Sequence, residues 1–284
     1  MKTPSLDVHA LLKRYNLDPY KGLGQNFLVD QGALEKIVAC GEIEKTDTVL
    51  EIGAGLGSLT RMLAQAAGRV VAVEIDRKMI PPLKEVMGRY DNCEIVQGDI
   101  LELDPATLIG EKDYLVVANI PYYITSAIIR HLLAAALKPS RLVLTMQKEV
   151  ATRICAEPGD LSLLALSVQV FGEPRIAATI PAGAFFPPPK VDSATLVVEL
   201  YPEPFLNDHQ LEDFFLLAKA GFSQKRKMLR NTISSGLKVP ADKAEGILRQ
   251  AGIDPTRRAQ TLDLVEWRTL VGEYESLNLQ KNSV

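Results

Sequence analysis

Between residues 48 and 200 short apolar runs alternate with longer segments of helical period, and this alternation restricts the chain to a mostly parallel sheet with helices on both faces. The runs expected to be strands are Thr48–Ile52, Arg69–Ile75, Cys93–Gln97, Tyr114–Ala118, Arg141–Met146, Leu164–Phe171 and Ala194–Leu200. The last two flank a loop stiffened by Pro187, Pro188 and Pro189, so they are expected to pair antiparallel at one edge. The fold class is therefore α/β, a doubly wound, seven-stranded sheet. Beyond Tyr201-Pro202-Glu203-Pro204 the strand pattern stops, and helix-period segments follow at about 209–222, 224–237, 241–251 and 262–275. These mark a small all-α C-terminal domain. The expected division is 1–204 and 205–284, with 1–22 a candidate flexible arm.

Composition limits class more than function. With 47% hydrophobic and 24% charged residues the chain is neither collagen-like, disulfide-stapled nor largely disordered. Cys40, Cys93 and Cys155 are odd in number and lack C-x-x-C spacing, so they read as reduced thiols of a cytoplasmic protein, and no metal site is expected. The N-terminal residues lack a signal pattern, and the apolar stretch Tyr114–Leu137 is broken by Asn119, Pro121, Arg130 and His131, so no membrane span is expected. A net charge of −3 argues on its face against a nucleic-acid binder. The charge is unevenly spread, however: residues 222–258 hold nine Lys and Arg against three Asp and Glu, a balance of +6 that leaves −9 for the rest.

The first strand runs into Gly53-Ala54-Gly55-Leu56-Gly57, a turn whose backbone can approach a ligand closely and aim helix N–H groups at it. Its G-x-G-x-G spacing differs from the G-x-G-x-x-G of dinucleotide enzymes, which weakens a nicotinamide-dependent oxidoreductase reading. About twenty residues on, the second strand ends at Val73-Glu74-Ile75-Asp76, where Glu74 can accept from both hydroxyls of a ribose while Asp76 caps the next helix. The third strand leads into Gly98-Asp99, and Asp99 is a candidate for the exocyclic amine of an adenine. The fourth ends in Asn119-Ile120-Pro121-Tyr122. An amine conjugated with an aromatic ring is a poor nucleophile because its lone pair is delocalised. Acceptors at the Asn119 side chain and the Ile120 carbonyl, held convergent by Pro121, would draw that amine toward tetrahedral geometry for methyl transfer, and Tyr122 offers a stacking face.

Eight segments in order carry a resemblance: Gly24-Gln25-Asn26-Phe27-Leu28, Glu51 to Gly57, Val73 to Asp76, Gly98-Asp99-Ile100, Asn119 to Tyr122, Gln147-Lys148-Glu149-Val150, Phe186 to Ser193, and Phe222 to Lys227. Together they resemble the bacterial small-subunit (16S) rRNA adenine dimethyltransferases, over about residues 20–260. The resemblance implies a Rossmann-like methyltransferase sheet and an S-adenosylmethionine site. In it Asn26 and Leu28 touch the methionine end, Gly53 lies against the cofactor, Glu74 holds the ribose, Asp99 the adenine, and Asn119 stands at the junction with the target amine. It further implies two methyl groups on each of two adjacent adenosines near the 3′ end of 16S rRNA, in the small subunit or an assembly intermediate; a monomer is expected. Two positions depart from the family pattern: Ala54 replaces the more usual Pro, and Tyr123 stands where many members have Asn.

A base buried in RNA must be swung out and stacked before its amine is reachable. Tyr122 supplies one face in this reading, and Phe185 or Phe186 the other. For the RNA backbone the candidates are Lys225, Arg226, Lys227 and Arg230, read as the solvent face of a helix whose Phe222, Leu229 and Ile233 turn inward. Arg257-Arg258 form a second cluster, and Lys13, Arg14 and Lys21 a sparse basic arm. The competing readings are a 23S rRNA methylase of the erythromycin-resistance type and a non-catalytic ribosome-assembly factor.

Overall fold

The computed structural model describes residues 5–110 and 112–282, so Met1–Pro4, at the head of the expected arm, lie outside it. Contacts divide the chain into two units: residues up to Thr152 with Glu173–Leu200, and Arg153–Gly172 with the residues from Tyr201 on.

Among the described residues the first unit is built on nine strands: β1 (Phe27–Leu28), β2 (Thr48–Ile52), β3 (Arg69–Glu74), β4 (Cys93–Gln97), β5 (Leu115–Asn119), β6 (Arg141–Gln147), β7 (Gly172–Ile180), β8 (Phe185–Phe186) and β9 (Ser193–Leu200). Seven of them form one sheet in the order β4-β3-β2-β5-β6-β9-β7. The first five in that order are parallel and β9 runs antiparallel to β6. All five residues of β2 are buried, as a central strand covered on both faces requires. One face packs Val49, Val70, Ala72, Val117 and Val143 against Leu34, Ile37, Leu63 and Leu83 of the covering helices. Ile52 is opposite Val73 on one side and Ala118 on the other, so the residues that follow line up at one sheet edge: Glu74, Gly53 and Asn119.

Two expectations fail here. Leu164–Phe171 is not a strand: Leu163–Gln169 is a helix capped by the Ser162 hydroxyl, which accepts from the Ala165 N–H at 3.2 Å. Its Ala165 and Leu166, with Leu161 and Val170, pack beside Phe214, Leu217 and Trp267 in the second unit, to which 153–172 belongs, whereas division at residue 204 put this segment in the catalytic part. The outer strand is instead β7, whose Glu173, Pro174 and Arg175 suit an edge but hide its periodicity.

Residues 5–22 are also no free arm. A helix at Val8–Arg14, capped by Asp7, buries Val8 and Leu12 with Phe27, Leu56 and Met79, and Phe186 packs against the same cluster. Arg14 pairs with Glu85, which also accepts from the Tyr15 hydroxyl at 2.7 Å. Two of the three arm residues, Lys13 and Arg14, therefore sit on a docked helix.

The second unit is helical: Asp208–Gly221, Leu229–Leu237, Ala241–Gln250 and Leu264–Asn282 follow the 163–169 helix around buried Trp267 and Phe214. The Leu229–Leu237 helix starts five residues later than its apolar period suggests. Lys225, Arg226 and Lys227 lie in the exposed loop before it, where the Lys227 N–H donates to the Gln224 carbonyl at 3.1 Å. Among the described residues no helix is long and apolar enough to cross a membrane.

Candidate active site

The turn after β2 needs its glycines. Gly53, Gly55 and Gly57 all have left-handed backbones, at φ +76°, +56° and +86°. A Cβ on Gly55 would stand 3.1 Å from the Phe27 ring, and one on Gly57 3.0 Å from Leu83. With the backbone so bent, the Gly55 N–H donates to Glu74 Oε2 at 2.6 Å while the Asp76 N–H donates to Oε1 at 2.8 Å. Glu74 is 5% exposed and lines the pocket. One bond to each oxygen fixes the carboxylate and leaves lone pairs for further donors. Burial raises its pKa above the ordinary carboxylate value. Asp76 caps the next helical turn, as expected, by accepting from the Lys78 N–H at 3.0 Å.

Glu51 lines the same pocket, and the sequence reading gave it no role. It is 1% exposed, its Oε2 has no hydrogen-bond partner, and burial together with the charge of Glu74 pushes its pKa up to about 8. A charged residue inside the apolar run Thr48–Ile52, just before the glycines, was the available signal.

Asn119 ends β5, and its Nδ2 donates to the Asn26 carbonyl at 3.1 Å. A backbone carbonyl can only accept, so this bond turns the amide and leaves Oδ1 as the free acceptor. The Ile120 N–H donates to the Thr145 carbonyl at 3.1 Å, which holds the Asn119-Ile120 peptide to the neighbouring strand. Asn26 is itself anchored, its Nδ2 donating to the Gly24 carbonyl at 3.1 Å. Tyr122 is half-buried with its hydroxyl 2.6 Å from Ser193 Oγ, and burial raises its pKa.

One pocket thus brings together Asn26, Leu28, Gly53, Glu74, Asn119, Pro121 and Tyr122. Others expected there lie elsewhere. Asp99 is at the β4 end, where its carboxylate accepts from the Leu101 N–H at 2.9 Å, and it is not among the lining residues. It stays near the Glu74 strand because the Gly98 N–H donates to the Glu74 carbonyl at 3.0 Å. Phe185 is 3% exposed in the sheet core and does not face the pocket. Phe186 leans on the N-terminal helix with its ring centroid 4.1 Å from that of His9. The β1–β8 register, Leu28 opposite Phe185 and Phe27 opposite Phe186, commits both rings to packing.

In the helical unit Lys225 and Lys227 line a cleft of about 590 Å³ with Arg153 and Lys219, floored by Leu161 and Phe222. Sequence reading missed Arg153 and Lys219 because neither falls in a charge cluster. Arg230 is drawn to Glu245 at 3.5 Å, and Arg257 is an internal strut bonded to Glu266 and to the Thr261 carbonyl. The +6 of residues 222–258 therefore overstates the cations open to a partner. His209, Asp213 and Glu275 form the one group of possible metal ligands among the described residues; His209 is exposed and the two carboxylates are half-buried, and His209 is bonded to Glu275 at 2.9 Å.

A glycine-cradled pocket at the carboxyl edge of this sheet, closed by Asn-Ile-Pro-Tyr, defines a Rossmann-like methyltransferase. The chain belongs to the ribosomal RNA adenine dimethylase family, whose family model matches residues 19–270. It is 45% identical over 274 residues, covering 95% of this chain and 94% of the other, to the ribosomal RNA small subunit methyltransferase A of Dehalococcoides mccartyi. Among solved structures it is similar to a dimethyladenosine transferase from Plasmodium falciparum, with a TM-score of 0.78 and 28% identity, covering 89% of this chain and 98% of that one. The 23S rRNA methyltransferase ErmE has a TM-score of 0.72 and 28% identity, covering 88% and 100%.

Proposed function

We propose that this chain transfers methyl groups from S-adenosylmethionine to the N6 amines of two adjacent adenosines near the 3′ end of small-subunit rRNA, giving N6,N6-dimethyladenosine, and that it acts as a cytoplasmic monomer on the small subunit or its assembly intermediate. The observation that carries the reading is Asn119, a residue that lines the pocket and whose Nδ2 is spent on the Asn26 carbonyl, which leaves Oδ1 as its acceptor.

The pocket suits the cofactor. Two nearly buried carboxyl groups, Glu74 with free lone pairs and Glu51 with an unpartnered oxygen, suit a ligand that brings hydroxyl donors and a positive charge. The cofactor, when bound, supplies a methyl group on a positively charged sulfur. Glu74 accepts from the ribose hydroxyls through its free lone pairs, and Asp99 accepts from the adenine amine. Asn26 and Leu28 flank the methionine end, and Gly53 lies beside it. Asn119 Oδ1 and the Ile120 carbonyl accept the two amine hydrogens and free the nitrogen lone pair, while Pro121 keeps both acceptors in place. Tyr122 stacks on the base. Lys225, Arg226, Lys227 and Arg230 serve the RNA backbone.

Labelled S-adenosylmethionine, offered with unmethylated small subunits or with protein-free 23S rRNA, tests the reading when the modified base is mapped. Dimethyladenosine near the 3′ end of 16S rRNA is expected. Label confined to 23S rRNA would overturn it in favour of the erythromycin-resistance type, and no transfer at all would leave the assembly-factor reading.

A further inference from the structure

Two tyrosines stand on the outer side of this pocket with nothing to do in the chemistry. Tyr20 and Tyr123 are each 61% exposed, among the most exposed large apolar side chains described. Both lean on glycines of one turn. A Cβ on Gly22 would lie 2.7 Å from the Tyr20 ring, and one on Gly24, whose φ is +63°, would lie 3.3 Å from the Tyr123 ring and 3.4 Å from Pro121. Each ring therefore lies close over a glycine and is otherwise largely open to solvent. The turn itself is fixed: the Leu23 N–H donates to the Tyr20 carbonyl at 3.1 Å, and Gln25 accepts from the Tyr20 N–H at 2.7 Å while donating to Asp76 at 2.9 Å. Leu23, Gly24 and Gln25 line the pocket, so the two rings belong to its lip rather than its interior. Lys21 follows Tyr20 on the turn and is exposed.

A polynucleotide that inserts one base into the pocket must pass its neighbouring nucleotide across this lip. Open aromatic faces beside a cation are how single-stranded nucleic acid is held without reading its sequence, the rings stacking on bases and the charge meeting phosphate. Tyr122 cannot serve, because its hydroxyl is committed to Ser193 and its ring lies inside. We infer that Tyr123 and Tyr20, with Lys21, hold the nucleotide adjacent to the target adenosine and so set which adenosine enters the pocket. This rests on the proposed RNA methyl transfer and adds positioning residues to it. It also gives the departure at Tyr123 a purpose, since an Asn there would offer no ring.

The test uses the full chain with an unmethylated rRNA fragment bearing 2-aminopurine on either side of the target adenosine, each position in turn. Wild type should quench one of the two, and Tyr123→Ala should restore its fluorescence. Tyr123→Ala and Tyr20→Ala should each raise KM for RNA about tenfold at unchanged kcat and cofactor affinity, as loss of a stacked base implies. Tyr123→Phe should behave as wild type, because only the ring is needed, and Tyr123→Leu should not. Wild-type KM in both alanine variants, quenching that survives them, or a Leu variant as good as Phe would overturn this inference alone. Absence of transfer by the wild type would overturn the proposed function and this inference with it.

Discussion

The pocket at the glycine turn and the basic loop of the helical unit place their charged groups in opposite ways. In the pocket Glu51 and Glu74 are almost wholly buried, and backbone N–H groups fix Glu74 before any ligand arrives. In the loop Lys225, Arg226 and Lys227 are exposed. Burial makes each pocket charge costly and hence specific, whereas exposure makes each loop charge cheap, additive and screened by salt. A site for one small molecule and a site for a polyanion should therefore fail differently.

Asn119→Ala should show the largest effect. Turnover should fall by about 10² to 10⁴, the usual worth of a positioned polar group at a reacting proton, while calorimetric titration finds the cofactor bound within a few-fold of wild type. Wild-type rates would remove Asn119 from the chemistry. Glu74→Ala comes next. It removes the acceptor for the Gly55 and Asp76 N–H groups as well as the proposed ribose contact, so affinity should drop by roughly 10- to 100-fold, from about 1.5–3 kcal/mol for hydrogen bonds to a charge. RNA affinity should not change.

Neutralising Lys225, Arg226 and Lys227 together should do the reverse, leaving cofactor titration untouched. Filter binding to rRNA across a salt series should weaken, with a log–log slope shallower by about 2, at roughly 0.7 per lost phosphate contact. An unchanged slope would show that the loop does not meet phosphate. The last effect, smallest on activity, is a dependence of stability on pH. The Glu51 pKa is raised from 4.5 to about 8 in the folded chain, so below 4.5 both folded and unfolded forms are protonated and its contribution to stability is complete. As pH rises toward 8 only the unfolded chain loses the proton, and stability declines by about 1.4 kcal/mol per pH unit. Thermal unfolding of Glu51→Gln should be flatter than wild type over this window, and a cationic ligand should bind wild type more tightly as pH rises through it. Parallel curves for the two proteins would break the idea.

The sequence was most legible where local pattern and tertiary role coincide. Thr48–Ile52 and Cys93–Gln97 are strands at the expected residues because each apolar run ends where glycine or a polar turn takes over. Glu74 and Asn119 were readable because strand ends in a parallel sheet share one edge. Leu164–Phe171 was misread because a short apolar run fits a buried helix as well as a strand, although Ser162 was there as a cap. Phe185 and Phe186 were ambiguous for a different reason. Which ring faces a pocket depends on the β1–β8 register, and that pairing joins residues too far apart in sequence for any local pattern to reveal it. Arg257 looked like surface charge because its partner Glu266 lies on the next helix.

The helix at Val8–Arg14 matters to anyone who trims this protein. Family similarity begins at residue 19, which invites a shortened chain starting there. Yet Val8 and Leu12 cover Phe27 and Leu56, the same two residues that wall the glycine turn, and Phe186 rests on this helix through His9. A version cut at residue 19 would expose a greasy patch beside the pocket, and its first symptom at the bench would be poor solubility rather than poor catalysis. The working boundary of the enzyme lies upstream of Leu6.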